Sequence, residues 1–359
     1  MSDSQVVPGV HTLAEILSQP RCWRDCLDVL RKGDELEKIR KFVNAEAELL
    51  FIGCGSSYYI ALAAAASWTA LTSMRARAVP ASELLLFPDL VLAGQAACQP
   101  VVISRSGRTS EALKAAELLE SKYNMRTLAV SCAAQGPLEE TASVTMHLLP
   151  ADEKSTVMTR SFTSMLLGLQ ALAATVGRNK PFIDALGELP VPAQAALDGM
   201  PSRIDELVRA RNFANYVFLA HGPLFGLAAE GRLKVTEMSC SYAQAYHTME
   251  FRHGPKSIVG PETLLTFLLS ESAYQAELEV LEEMKGYGAT TLVVANSADE
   301  RVRCCADLLL ELKLGVPELA RLGVYAFAGQ LLGYYTGLQK GLDPDNPRNL
   351  SRVVILDNA

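Results

Sequence analysis

The stretch Glu48-Leu-Leu-Phe-Ile52-Gly53-Cys54-Gly55-Ser56-Ser57 decides the fold. Its apolar run is short and unbroken, as in a strand buried on both faces, and the glycines and serines end it abruptly. The Ala-rich segment that follows reads as a helix. A strand, a tight polar turn and a helix make the first half of a βαβ unit. Working outward, Gln99–Ser104 is a second strand, which runs into Arg105-Ser106-Gly107-Arg108-Thr109 and a helix over Glu111–Lys122. Arg126–Cys132 and Thr145–Leu149 read as further strands. Strands that alternate with helices predict a parallel sheet flanked by helices.

The pattern then recurs. Tyr216–Ala220 leads into His221-Gly222-Pro223-Leu224 and a helix over Ala228–Ser239; Leu264–Ser270 leads into Glu271-Ser272-Ala273 and a helix over Gln275–Lys285; Thr290–Ala295 is again a strand. At a shift of about 167 positions Phe51 falls on Phe218, Gly55 on Gly222 and, one place less, Glu111 on Glu277. Two tandem copies of one α/β unit are expected, each a flavodoxin-like three-layer sandwich. Residues 1–45 form a helical lead-in, 46–180 the first unit, 205–340 the second, and 341–359 a tail. Pro181, Pro190, Pro192 and Pro201 make the link a helical connector broken by turns. The tail, with Asp343, Pro344, Asp345, Asn346 and Pro347, is a loop.

Composition narrows the function. The 359 residues are 49% hydrophobic and 20% charged, with a net charge of −7. That balance fits a soluble globular protein and argues against a nucleic-acid surface, while leaving room for a small anionic ligand. The longest apolar runs, Ile60–Leu71 and Met165–Val176, fall short of the roughly 20 residues that span a bilayer. With no basic, apolar leader at the start of the chain, a cytoplasmic location is expected. Eight cysteines without C-x-x-C spacing read as reduced, mostly buried thiols, and no histidine pair has metal-ligand spacing. Neither a metal nor a cofactor is implied.

In an open parallel sheet, ligands bind at the carboxyl ends of the strands. Two such ends in the first unit combine glycine with hydroxyls: Ser56 and Ser57 at one, Ser104, Ser106 and Thr109 at the other. Each side chain could simply cap a helix. Together with two helix N-termini they also suit a phosphate. Arg105 and Arg108 either add charge or are solvated. The second unit lacks these hydroxyls, so one phosphate site per chain is expected. Further on, Glu230, Lys234 and Glu237 share one helix face, either as a salt-bridged surface or as acid–base machinery. Among the histidines, His147 reads as packed inside a strand, whereas His221 and His247 sit on loops that could reach substrate.

These segments resemble the SIS (sugar isomerase) domain. The loops Gly53–Ser57 and Ser104–Thr109, the helix Glu230–Glu237, the run Phe251-Arg-His253-Gly-Pro-Lys256 and the tail Asp345-Asn-Pro-Arg348-Asn-Leu350 are similar, in that order, to the isomerase half of glucosamine-6-phosphate synthase. They are more similar still to the group of tagatose-6-phosphate isomerases and galactosamine-6-phosphate deaminases. The resemblance implies that Ser56, Ser57, Ser104, Ser106 and Thr109 bind the 6-phosphate of a sugar. It implies that Glu237 relays a proton between C1 and C2, that Lys234 lies near O1, and that His253 opens the ring from a neighbouring subunit in a homodimer with a shared active site. Glu153 and Thr159 would stand close to the sugar, and the tail would lie over the active site. Arg352 replaces the Schiff-base lysine of the synthase, and a guanidinium stays protonated. With Ser2 after Met1 and the first cysteine at Cys22, no glutaminase activity is expected. The implied reaction is isomerisation or deamination of an amino-hexose 6-phosphate. A deglycase of amino-acid–sugar conjugates and a non-catalytic sugar-phosphate regulator are the alternatives.

Overall fold

The computed structural model describes residues 7–94 and 97–356; the expectations about Met1 and Ser2 lie outside them. The first unit is a five-stranded parallel sheet of β1 (Glu48–Gly53), β2 (Ala76–Pro80), β3 (Cys98–Ile103), β4 (Leu128–Ser131) and β5 (Val144–His147), in the order 2-1-3-4-5. The second contains β6 (Asn215–Ala220), β7 (Ala243–His247), β8 (Thr263–Leu268), β9 (Thr290–Ala295) and β10 (Leu308–Glu311). It runs 7-6-8-9-10, all parallel, so each strand occupies the place of its counterpart. This is the flavodoxin-like order. Seven strands, the six central ones and the edge strand β5, stand where the apolar runs place them. The sequence reading lacks β2, β7 and β10, edge strands of four or five residues: β2 and β7 are mostly half-exposed with polar residues among the apolar ones, and β10 is only Leu308-Leu-Leu before Glu311.

The two units share one core. In the lead-in, α1 (Val10–Leu17) and α2 (Gln19–Arg31) bury Ile16 and Trp23, and the Trp23 indole stacks on Phe327 with centroids 5.5 Å apart. The helices that follow the paired loops are α3 (Ser56–Thr72) after β1, α4 (Ser110–Ser121) after β3, and α6 (Phe225–Ser239) after β6. Between them in sequence α5 (Arg160–Val176) is buried nearly throughout, as the apolar run requires. Prolines open the connector helices Lys180–Glu188, Pro190–Asp198 and Met200–Ala210, where the missing N–H costs nothing.

After α7 (Tyr274–Gly286), the closing helix α8 (Leu322–Gln339) lies directly on α6. Gly329, Gly333 and Gly337 recur every fourth residue along α8, and a Cβ at each would meet Gly231, Lys234 or Met238 backbone. Larger side chains there would push the backbone bearing Lys234 out of place. Gly226 lets α6 approach Tyr59 of α3 in the same way. The fold thus brings a helix of the second unit against the first phosphate-type loop. None of the described helices is long and apolar enough to cross a membrane. All eight cysteines are free, but only Cys22, Cys26 and Cys132 are buried; Cys240 and Cys304 are exposed, contrary to the expectation of mostly buried thiols.

Candidate active site

A cavity of about 230 Å³ opens at the carboxyl ends of β1 and β3. Its floor comes from the first loop, Cys54 to Ser57, and one wall from Arg105, Ser106 and Thr109. Leu233 and Glu237 of α6 face it from the second unit, and Leu350 to Val354 of the tail cover it. Gly55 and Gly222 both take positive φ, 54° and 53°, so the two repeats turn alike at the strand end. Their chemistry differs. In the second unit the Glu277 carboxylate accepts from the Ser270 amide at 2.7 Å and pairs with His221 Nδ1 at 2.9 Å. An internal carboxylate therefore fills the place that an external anion would take. The first unit leaves its loop ends open to the cavity.

The hydroxyls are not equivalent. The Ser57 hydroxyl makes no hydrogen bond to another described residue, and Ser57 lines the cavity from the first turn of α3. Ser104 donates to the Thr109 hydroxyl at 3.3 Å, and Ser106 accepts from the Arg108 amide at 3.2 Å. Ser56 is turned toward α6, where its Oγ donates to Glu230 Oε1 at 3.1 Å and accepts from Lys234 Nζ at 3.3 Å. Burial pushes the Cys54 thiol up to about 12, so it is no nucleophile at neutral pH.

On α6 the Glu230–Lys234–Glu237 face is not a solvated surface. Glu230 and Lys234 are fully buried, and Nζ lies 3.2 Å from Glu230 and 2.5 Å from Glu237. Burial raises the Glu230 carboxyl to about 7 against the pull of Lys234. Burial also works against the Lys234 ammonium, but the two carboxylates outweigh it and hold its pKa above the ordinary lysine value. Glu237 alone of the three reaches the cavity.

Arg105 decides how the tail sits. Its buried guanidinium donates to the carbonyls of Thr156 at 3.1 Å and Arg352 at 2.8 Å and pairs with Glu153 at 3.5 Å. The tail is further held by Ser110, whose amide donates to the Val354 carbonyl, and by Asp345, which accepts from Thr12 at 2.7 Å at the start of α1. Glu153 and Thr159 lie behind this wall. The Glu153 carboxylate accepts from the Thr159 amide and hydroxyl, both at 2.6 Å, and from the Ser161 hydroxyl. Neither lines the cavity. Arg352 does, although its guanidinium pairs with Asp152 at 2.5 Å. His253 is exposed on the loop after β7, away from the cavity of its own chain. His221 and His247 stack on each other at the end of the second sheet, with centroids 6.0 Å apart, and also lie outside it. Among the described residues no group of three or more His, Cys, Asp or Glu could hold a metal. The sequence pattern missed Thr156, Met158 and Leu233 as lining residues, and nothing in their local sequence signals the role.

Known proteins are similar to this chain in sequence and in fold. The SIS domain family model matches residues 41–175, the first unit. The chain is 30% identical over 359 residues to the "Putative D-galactosamine-6-phosphate deaminase" of Streptomyces coelicolor, covering 94% of this chain and 91% of that protein. The crystal structure of glucosamine-6-phosphate deaminase from Thermotoga maritima superposes with a TM-score of 0.80 at 27% identity, covering 96% of this chain and all of that one. The glutamine–fructose-6-phosphate aminotransferase of Methanothermobacter thermautotrophicus is 25% identical over 350 residues, and this chain spans 57% of its length. With two units of one strand order and this match along nearly the whole chain, the protein belongs to the SIS-domain family of sugar-phosphate isomerases and deaminases.

Proposed function

We propose that the chain deaminates an amino-hexose 6-phosphate by ring opening and C1–C2 proton transfer, and that it works as a homodimer. The observation that carries this is the meeting of Glu237 with Ser57, Ser106 and Thr109 in one cavity, a carboxylate base facing an anion cradle. Phosphate held by the hydroxyls and the start of α3 would place the far end of an opened sugar toward Glu237. Glu237 takes the proton from C2 and returns it to C1. The N–H proton passes to O1, so that the C1 aldehyde becomes the alcohol and C2–N becomes an imine. Water adds across C2=N, ammonia leaves, and a ketose 6-phosphate remains. Lys234 keeps Glu237 in place and offers positive charge near the oxygen that becomes an enolate. Ring opening falls to His253 of a second subunit, because its own His253 stands exposed outside the cavity.

The test is release of ammonia from glucosamine 6-phosphate, galactosamine 6-phosphate and fructosamine 6-phosphate, followed beside ketose formation. Ammonia in step with ketose from one of the two 2-amino sugars is expected; phosphosugar binding with no turnover of any would reject the reaction. A second measurement probes the cradle. Ser57→Ala and Thr109→Val each remove a donor to a dianion, a bond to a charged group worth about 1.5–3 kcal/mol, so KM should rise about tenfold or more with little change in kcat. Unchanged KM in both variants would move the phosphate elsewhere.

A further inference from the structure

At the carboxyl ends of β6 and β8 the second unit holds a hydrogen-bonded chain that the proton transfers proposed above do not use. Glu277, in the first turn of α7, is fully buried. One of its carboxylate oxygens accepts from the Ser270 amide at 2.7 Å and from the Ser270 hydroxyl at 3.1 Å; the other faces His221 Nδ1 at 2.9 Å. The far nitrogen of the same ring, Nε2, lies 3.3 Å from the Met249 amide. A backbone N–H can only donate, so Nε2 is the acceptor and the ring proton sits on Nδ1, directed at Glu277.

Met249 begins the loop that carries His253. The Arg252 amide donates to the Met249 carbonyl at 3.2 Å and the His253 amide to the Glu250 carbonyl at 3.0 Å, with Phe251 fully buried between them. On either side of His253, Arg252 and Lys256 pair with Glu283 at 2.6 and 2.8 Å. Glu277 and Glu283 both belong to α7, so one helix grips the loop at its start and around His253, while the His253 side chain stays exposed. The part-exposed ion pairs contribute little by themselves. The chain that ends on the buried Glu277 is the firmer hold.

We infer that His221 is a positioning residue for His253: the Glu277–His221–Met249 chain sets the place of the loop that presents His253 to the neighbouring subunit. This rests on the ring-opening role proposed above for His253. The first unit leaves its strand ends open to an anion, whereas the second closes them with Glu277 and uses them to support the loop.

Glu277→Gln tests the chain with little change of shape. Its amide oxygen must face the Ser270 N–H, so its NH2 faces Nδ1, moves the ring proton to Nε2 and sets it against the Met249 amide. NMR of nitrogen-labelled histidine and methionine should show wild-type His221 protonated at Nδ1. In Glu277→Gln it should show Nε2 protonated and the Met249 amide signal displaced. In turnover, Glu277→Gln and His221→Phe should each lower kcat about tenfold or more with KM within about twofold, because the loop hydroxyls of the first unit are untouched. His221→Gln, whose amide oxygen can accept from Met249, should keep more. In a His253→Ala background the His221→Phe loss should shrink to within about twofold, since the group it positions is gone. A loss that persists there in full is merely structural and overturns the inference. So does an Nε2-protonated ring in wild type, or a Met249 signal unmoved by Glu277→Gln. The NMR needs no substrate, so it separates the two claims. The expected signals with no sugar turnover would keep the anchor and sink the reaction; turnover with the wrong tautomer would do the reverse.

Discussion

Glu237→Gln is expected to lower kcat by about a thousandfold or more while sugar-phosphate affinity stays within about threefold, since a positioned general base contributes 10²–10⁴. The substitution keeps shape and removes only the ability to take a proton. Lys234 retains Glu230 at 3.2 Å as a counter-charge, so α6 should hold its position. The loop hydroxyls that would take the phosphate belong to other elements and are untouched. The cleanest readout is deuterium entry at C1 or C2 in heavy water, followed by NMR, because it reports proton transfer without depending on the fate of the amine. A variant keeping more than a tenth of wild-type exchange would remove Glu237 from the mechanism. The same variant tests the shared site. Glu237→Gln and His253→Ala should each be inactive alone, yet their mixture should regain about a quarter of wild-type activity, as random dimers that combine one intact Glu237 with one intact His253 require. No recovery on mixing would return His253 to its own chain or to the surface.

What the sequence made legible follows from where periodicity survives. Strands buried on both faces, such as β1 and β8, appear as unbroken apolar runs, and the recurrence of Phe51 at Phe218 shows the repeat. Edge strands lose that signal: Ala243–His247 is half exposed and carries Gln244 and Tyr246. The Glu230–Lys234–Glu237 spacing was visible, but its burial was not. A helix with charged residues every third or fourth position reads as a surface until the glycines of α8 are seen to pack against it. The sequence presents the cradle as five equal hydroxyls, and only the structure separates Ser57, whose hydroxyl is free in the cavity, from Ser56, whose hydroxyl is bonded to α6. Glu153 and Thr159 were near in sequence to the right wall, yet their side chains satisfy each other behind it. Arg105 lay undecided between solvent and site because its partners, the carbonyls of Thr156 and Arg352, are distant or irregular in sequence.

Lys234→Met should cost about 3–5 kcal/mol of unfolding free energy, the range expected when one partner of a buried ion pair is removed. Methionine fills the space but leaves Glu230 fully buried and Glu237 largely so, with no cation between them. Glu230 would respond by staying protonated, which limits the loss and makes it depend on pH. The sign can be worked out for the wild type. Glu230 has a folded pKa of about 7 against an ordinary 4.5, so the folded state holds the extra proton between those values. Its contribution to stability is full below about pH 4.5 and falls as pH rises toward 7, by up to about 3 kcal/mol. Glu230→Gln should flatten that slope, and in the Lys234→Met background it should restore part of the lost stability by removing one buried carboxylate. Urea unfolding at pH 5 and pH 8 for the two single variants and the double variant measures all of this in one cycle. A loss under 1 kcal/mol for Lys234→Met, or single effects that add without coupling, would mean that the ammonium is dispensable between its carboxylates. Glu237 would then owe its position to the packing of α8 on α6 alone.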